Sequence, residues 1–267
     1  MKVLVPVDGS DLATNMLGLA VLMAGEGEIR MVRVTEGPRP DAEAATFLEE
    51  LREKLVVLNA NVRWDLEVGD PADRILVIAK EQEPDYIVMA THGETGRSRS
   101  VRGSVAERVL RESAVPLLLA NPRGLRKLHE HTFDRLLVPL DGSAHADQIL
   151  EHVEHAAGVL GSKEVILLRV QPASLQAAKT FEPEALAATL TPQRERLEAK
   201  GLQVRVWSAL GDEVEEILRA AEEADLVCLC THGRSGVSRW WFGSVAEQVL
   251  RVCERPLLVV RPKNPSA

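Results

Sequence analysis

Cysteine is scarce in this chain of 267 residues: there are three, with no Cys-x-x-Cys among them. An odd number without paired spacing excludes a disulfide framework. Long apolar runs are missing too. Nothing approaches the 18 or so residues that a membrane-spanning helix needs, and the short N-terminal run is broken by Asp8 before it could serve as a secretion signal. Positive charge is also in short supply, with Lys+Arg 32 against Asp+Glu 40. A cut near Phe133 divides the net −8 into −4 and −4, so neither half is a basic tail. Without a clustered cationic face a general nucleic-acid binder is excluded. The expectation is a cytoplasmic protein with no membrane or nucleic-acid partner. Two phosphate signatures are absent as well: there is no Gly-Lys-Ser/Thr Walker sequence, and Gly25-x-Gly27 lacks the third glycine of a dinucleotide fingerprint.

What the chain does have is a duplication. VLVPVDGS at 3–10 returns as LLVPLDGS at 136–143, and THG…GSVAERVLR at 91–111 returns as THG…GSVAEQVLR at 231–251. Asp8 pairs with Asp141, His92 with His232 and Gly103 with Gly243. The repeat unit is a whole domain, far longer than a solenoid repeat. The expected domains are 1–122 and 133–263, joined by NPRGLRKLHEHTF at 121–133.

Within the first half, residues 2–7, 29–34, 61–68, 85–91 and 116–121 are short β-branched or aliphatic runs bounded by turn residues, as buried parallel strands are. Helical patterns lie between them. Ser10 is placed to cap the first helix, Asp70–Pro71 to open the third, and Asp212 to open its counterpart. Residues 41–58 and 182–200 read as charged amphipathic helices, with Pro183 near a start and Gly201 past an end. This alternation predicts an α/β fold: in each half a doubly wound parallel sheet covered on both faces.

Two elements carry chemistry. Asp-Gly-Ser after the first strand places Asp8, and again Asp141, where a carboxylate can accept hydrogen bonds from an amino or hydroxyl group, beside Pro6 and Pro139. Taken alone it is also a plain turn feeding a helix. In the second element a strand ends, a glycine-containing loop follows, and Gly-Ser opens a helix whose free N–H groups suit a phosphate. Taken alone, Ser104 with Glu107, and Ser244 with Glu247, are capping boxes. In an open α/β sheet both elements meet at the crevice beyond the strand ends if strands one and four are neighbours.

On these residues each half resembles a universal stress protein domain, whose motif is Gly-x-x-Gly, nine residues, then Gly-Ser/Thr, with an early Asp on the first strand. The halves read Ala90-x-x-Gly93…Gly103-Ser104 and Cys230-x-x-Gly233…Gly243-Ser244, so the first glycine is replaced in both. The resemblance implies two five-stranded sheets of order 3-2-1-4-5, ATP bound at the strand one/four crevice and pairing through the fifth strand; Mg²⁺ is expected with the ATP, and the apolar fifth strands, 115–120 and 255–260, are expected to pair with each other within the chain, with a homodimer formed through further surface that involves Trp240 and Trp241. It further implies that Asp8 and Val34 meet adenine, that Pro6 and Ala90 lie near the ribose with Val7 and Met89 beside them, and that His92, Gly93, Gly103, Ser104 and Val105 surround phosphates. In the second half the matching places are Asp141, Val170, Pro139, Leu140, Leu229, Cys230, His232, Gly233, Gly243, Ser244 and Val245. Arg97, Arg99 and Arg102 add positive charge to the first loop, where the second has Trp240 and Trp241.

Other candidates weigh less. Neither histidine of the loops has a nucleophile or carboxylate pair beside it, so no dedicated catalytic apparatus and at most slow ATP hydrolysis is expected. Cys228, Cys230 and His232 could hold a metal, but Val88 and Ala90 stand at the first two places in the first half, which points to packing. The function expected is a nucleotide-responsive stress regulator with an unnamed protein partner. A nucleotide-free interaction module and an adenylyl- or phosphoryl-transfer enzyme are the alternatives.

Overall fold

The apolar runs become strands whose residues are almost wholly withdrawn from water. In a computed structural model of the chain, which describes residues 1–35, 37, 41–58, 61–91, 104–121, 132–231 and 243–262, the first half forms β1 (Lys2–Pro6), β2 (Glu28–Thr35), β3 (Asn61–Val68), β4 (Tyr86–Ala90) and β5 (Leu117–Ala120). All neighbours are parallel and the order is β3-β2-β1-β4-β5. The second half repeats it with β6 (Arg135–Pro139), β7 (Glu164–Pro172), β8 (Gln203–Gly211), β9 (Leu226–Cys230) and β10 (Leu257–Val260), ordered β8-β7-β6-β9-β10. The chain divides into two compact units, Met1–His129 and Glu130–Ala267. Each is a doubly wound α/β sheet of order 3-2-1-4-5. Central residues such as Leu4, Ile87, Leu118, Leu137 and Val227 are buried on both faces of their sheets, which is why these strands read as continuous apolar runs. Full burial of such a side chain stabilises by about 1.5–3 kcal/mol.

Helices fill the crossovers: α1 (Asp11–Ala24), α2 (Ala42–Val56), α3 (Pro71–Gln82) and α4 (Ser104–Glu112), then α5 (Ile149–Leu160), α6 (Leu175–Thr180), α7 (Pro183–Ala188), α8 (Thr191–Glu198), α9 (Glu213–Ala221) and α10 (Ser244–Val252). Ser10 accepts from the Ala13 N–H at 3.1 Å, Asp70 from Asp73 at 2.9 Å, and Asp212 from Val214 at 2.9 Å, the caps expected from the sequence. The single helix expected over 182–200 is instead two, α7 and α8, with Leu190 buried at the break. Pro192 is the cause. Within a continuous helix its ring would meet the carbonyl of residue 188 and its missing N–H would break the ladder, whereas near a helix start it costs nothing. Between β7 and α7 lies α6, which the sequence reading did not anticipate although Ser174 caps it, accepting from the Ala177 N–H at 3.0 Å. Among the described residues no helix is long and apolar enough to cross a membrane.

Candidate functional site

The strand-one turn is built alike in both halves. Val7 donates its N–H to the Val32 carbonyl at 2.9 Å and Leu140 to Leu168 at 2.9 Å, so each turn leaves the sheet tethered to the neighbouring strand. In the first half the Asp8 carboxylate oxygen Oδ1 accepts from the Ser10 N–H at 3.0 Å and its hydroxyl at 2.6 Å. Asp141 does the same with Ser143, at 2.9 and 2.6 Å. Held this way, the carboxyl is fixed in direction at the strand end. Gly142 between them has φ +79°, and a Cβ there would come within 3.0 Å of the Arg169 guanidinium. Arg169 is buried and donates to the Leu140 carbonyl at 3.1 Å, bracing the turn from behind.

The second wall comes from β9 and α10. The Thr231 N–H continues the sheet to the Val260 carbonyl at 2.9 Å, and the Gly243 N–H returns to the Thr231 carbonyl at 2.8 Å. The strand end and the helix start are thereby joined directly. Gly243 is itself the N-cap, with no side-chain cap hydrogen bond, and Ser244 is the first helical residue. The capping box expected from Ser244 and Glu247 is therefore not made; the Glu247 carboxylate accepts from Arg251 at 3.0 Å instead. The first turn of α10 keeps its N–H groups free of a side-chain cap, and its positive dipole end faces the strand ends.

Between these walls lies a cavity of about 320 Å³. It brings together every described residue expected at the second site: Pro139, Leu140, Asp141, Val170, Leu229, Cys230, Gly243, Ser244 and Val245. Glu213 and Ile217 of α9 and Thr231 also line it, and sequence reasoning did not name them. Glu213 had one available signal: it stands directly after the Asp212 cap, where the first half has Pro71 after Asp70. Burial raises the Glu213 carboxyl above the usual range, with Asp141 and Asp212 adding to the rise. The Cys230 thiol is pushed up to about 12, chiefly by burial and further by Asp141 and Asp147, against a lowering hydrogen bond from the Ile149 backbone. It is a neutral thiol near pH 7, not a nucleophile. It donates to the Ala146 carbonyl at 3.7 Å. Cys228 and Cys253 are fully buried, and burial raises the Cys228 thiol as well.

In the first half, Pro6, Val7 and Asp8 leave β1, Val34 lies on β2, Met89 and Ala90 end β4, and Ser104 and Val105 open α4. β1 and β4 are neighbours, the condition for a shared crevice. His92, Gly93, Arg97, Arg99, Arg102 and Gly103, like His232, Gly233, Trp240 and Trp241, lie outside the described residues. Among the described residues no three His, Cys, Asp or Glu side chains are grouped to hold a metal.

A family model described as the universal stress protein family matches residues 1–121 and again residues 132–261. The chain belongs to the universal stress protein family. Universal stress protein MJ0531 of Methanocaldococcus jannaschii is 32% identical to it over 136 residues, covering 44% of this chain and 80% of that relative. Universal stress protein Slr1230 of Synechocystis is 27% identical over 180 residues, covering 66% and 58%. Among solved structures, a universal stress protein from Archaeoglobus fulgidus superposes with a TM-score of 0.71 at 24% identity, over 97% of this chain and 98% of that one. That likeness concerns the fold.

Proposed function

We propose that this universal stress protein binds an adenine nucleotide, ATP foremost, beyond the ends of β6 and β9 and at the matching place beyond β1 and β4, and that binding regulates its association with a protein partner. One observation carries the reading: the Asp141 turn and the uncapped start of α10 open into one cavity of about 320 Å³, within the usual range for small-ligand sites. A ligand with an anionic end and a hydrogen-bonding end fits that polarity. The α10 N–H groups take the phosphate, the apolar walls of Val170, Leu168 and Ile217 take a flat base, and Asp141 accepts from its amino group. Gly243 leaves the phosphate room: among the described residues, a Cβ there would have only the Thr231 carbonyl near it, at 3.4 Å. Mg²⁺ would arrive with the triphosphate, whose oxygens supply most of its ligands. The neutral Cys230 thiol argues for binding and at most slow hydrolysis. The reading extends to a homodimer, formed through surface that involves Trp240 and Trp241, and to a place in the cytoplasm.

Denaturing the purified protein and identifying released nucleotide by mass spectrometry, with calorimetric titration of ATP and Mg²⁺, tests this. Co-purified nucleotide or a saturable heat is the expected result; neither appearing would reject it. A nucleotide-free interaction module is the second reading, favoured by the Cys230 sulfur in the cavity wall where the family motif has glycine.

A further inference from the structure

The cavity of the second half has an order that the topology dictates. Along the strand ends, Glu213 opens the helix after β8, Val170 lies on β7, Asp141 follows β6, and Thr231 follows β9, which leads to α10. Three strand spacings of about 4.8 Å separate the β8 side from the β9 side, roughly 14 Å in all. The two carboxyls that line the cavity stand on the β8 and β6 side and the phosphate-binding helix start on the other. A nucleotide laid along this line puts its base edge at Asp141 and Glu213. Two ionised carboxylates lining one largely apolar cavity repel, and one of them relieves this by holding a proton.

Resting on the nucleotide reading above, we propose that Glu213 is a specificity-determining residue of the second site: with Asp141 it presents one donor and one acceptor to the base, selects adenine over guanine, and couples binding to proton uptake. Adenine offers an amino donor beside a ring-nitrogen acceptor, whereas the matching edge of guanine offers two acceptors and leaves Asp141 unpaired. Burial and the neighbouring charges of Asp141 and Asp212 already raise the Glu213 carboxyl, so it is the one of the pair suited to hold the proton. Among the described residues no cation is paired with Glu213, and Arg169 on β7 is held behind the turn by the Leu140 carbonyl. Cys230 at the end of β9 is a neutral thiol, Glu216 one turn along is paired with Arg219, and on α10 Gln248 is neutral while Glu247 is paired with Arg251. In the first half Pro71 stands in this position.

The sign follows from linkage. A ligand that accepts the Glu213 proton raises its pKa further, so binding is tightest at low pH and weakens as pH rises through the titration of the bound carboxyl, by at most tenfold per pH unit. The test uses the full chain with Asp8→Ala to disable the first site, titrated with AMP and with GMP from pH 5.5 to 8.5 in two buffers of different ionisation heat. AMP is expected to bind with proton uptake and at least tenfold more tightly than GMP. Glu213→Gln, whose amide donates at every pH, should keep the adenine preference and lose the proton uptake; it carries the phosphate's own titration and subtracts it. Glu213→Pro, which suits the first position of a helix, should lose the preference. AMP binding with the same proton uptake in Glu213→Gln, or an unchanged preference in Glu213→Pro, overturns the role of Glu213 while leaving the cavity's nucleotide reading standing. Failure of both the parent chain and the Asp8→Ala chain to bind either nucleotide overturns both.

Discussion

The two halves share a scaffold and differ in the polar groups fitted to it. In the first, Arg108 of α4 reaches back across α3, donating to Asp70 at 3.0 Å, to Asp73, and to Glu112 at 3.4 Å in its own helix. In the second, the matching residue is Gln248, which donates to the Ser244 carbonyl of its own helix at 3.3 Å, and the first turn of α9 gathers Glu213, Glu215 and Glu216 with, among the described residues, no arginine of α10 paired to them. The braces behind the turns differ as well. Arg33 lies half-buried over the Phe47 ring at 5.0 Å, while Arg169 is buried against the Gly142 turn. Repeated motifs thus fix the backbone of both sites, and residues outside the motifs decide the charge each site presents.

The sharpest break in this comparison is steric. Gly142→Ala would force a Cβ to 3.0 Å from a buried guanidinium at φ +79°, whereas Gly9→Ala, at φ +93°, meets the Arg33 guanidinium at 3.5 Å. Both incur left-handed strain, but only the first also incurs a clash its neighbour cannot relieve. Gly142→Ala is expected to destabilise the second half by about 2 kcal/mol, more than Gly9→Ala does the first. Denaturant unfolding, followed separately in each half by hydrogen exchange, measures the difference; equal losses would show that the Arg169 brace is soft.

A smaller effect separates the sites by affinity. Arg97, Arg99 and Arg102 favour a triphosphate at the first site, and the Cys230 sulfur in the cavity wall, where the first half has Ala90, crowds the second. We expect the first to bind ATP more tightly by about 1.4 kcal/mol, or tenfold. Titration of Gly103→Val should then lack the tighter, more salt-sensitive phase, and Gly243→Val should retain it. The reverse outcome would mean that loop charge does not rank the sites.

Smallest is the exchange of the clasp. Arg108→Gln makes the first half resemble the second and should lower its stability slightly at low salt, the loss fading as ionic strength rises. Gln248→Arg should stabilise α9 against α10 by a similar amount. Unfolding in low and high salt reads both, and a loss that salt leaves untouched would assign Arg108 a packing role.

Much of this was legible in the sequence because the signals were local. Uninterrupted apolar runs marked β1 and β4 as buried, and Ser10, Asp70 and Asp212 could be read as caps because each precedes its helix by one residue. Alternation gave the parallel sheets, and the resemblance their strand order. The misses share a different origin. Over 182–200 the charge pattern continues through Pro192 although the backbone cannot, and Leu190 is buried at the break. Ser244 carried every mark of a cap, but the hydrogen bond from Gly243 to Thr231 sets the helix start one residue earlier. Glu213 sits on an acidic helix turn like many others; its place opposite Pro71 in the repeat set it apart, but only the approach of α9 to the Asp141 turn puts it in the cavity.

That hydrogen bond between Gly243 and Thr231 has a consequence for how the family can diversify. It joins Thr231 and Gly243, the residues on either side of positions 232–242, by a 2.8 Å contact between backbone atoms. Where two flanks already meet, a longer connection between them costs little more, each doubling in length adding only about 0.6 kcal/mol. The segment is therefore a cassette. Its contents can be exchanged, arginines in one copy for tryptophans in the other, while the strand before it and the helix after it keep their places, and a duplicated gene is free to give one copy a new ligand without rebuilding its fold.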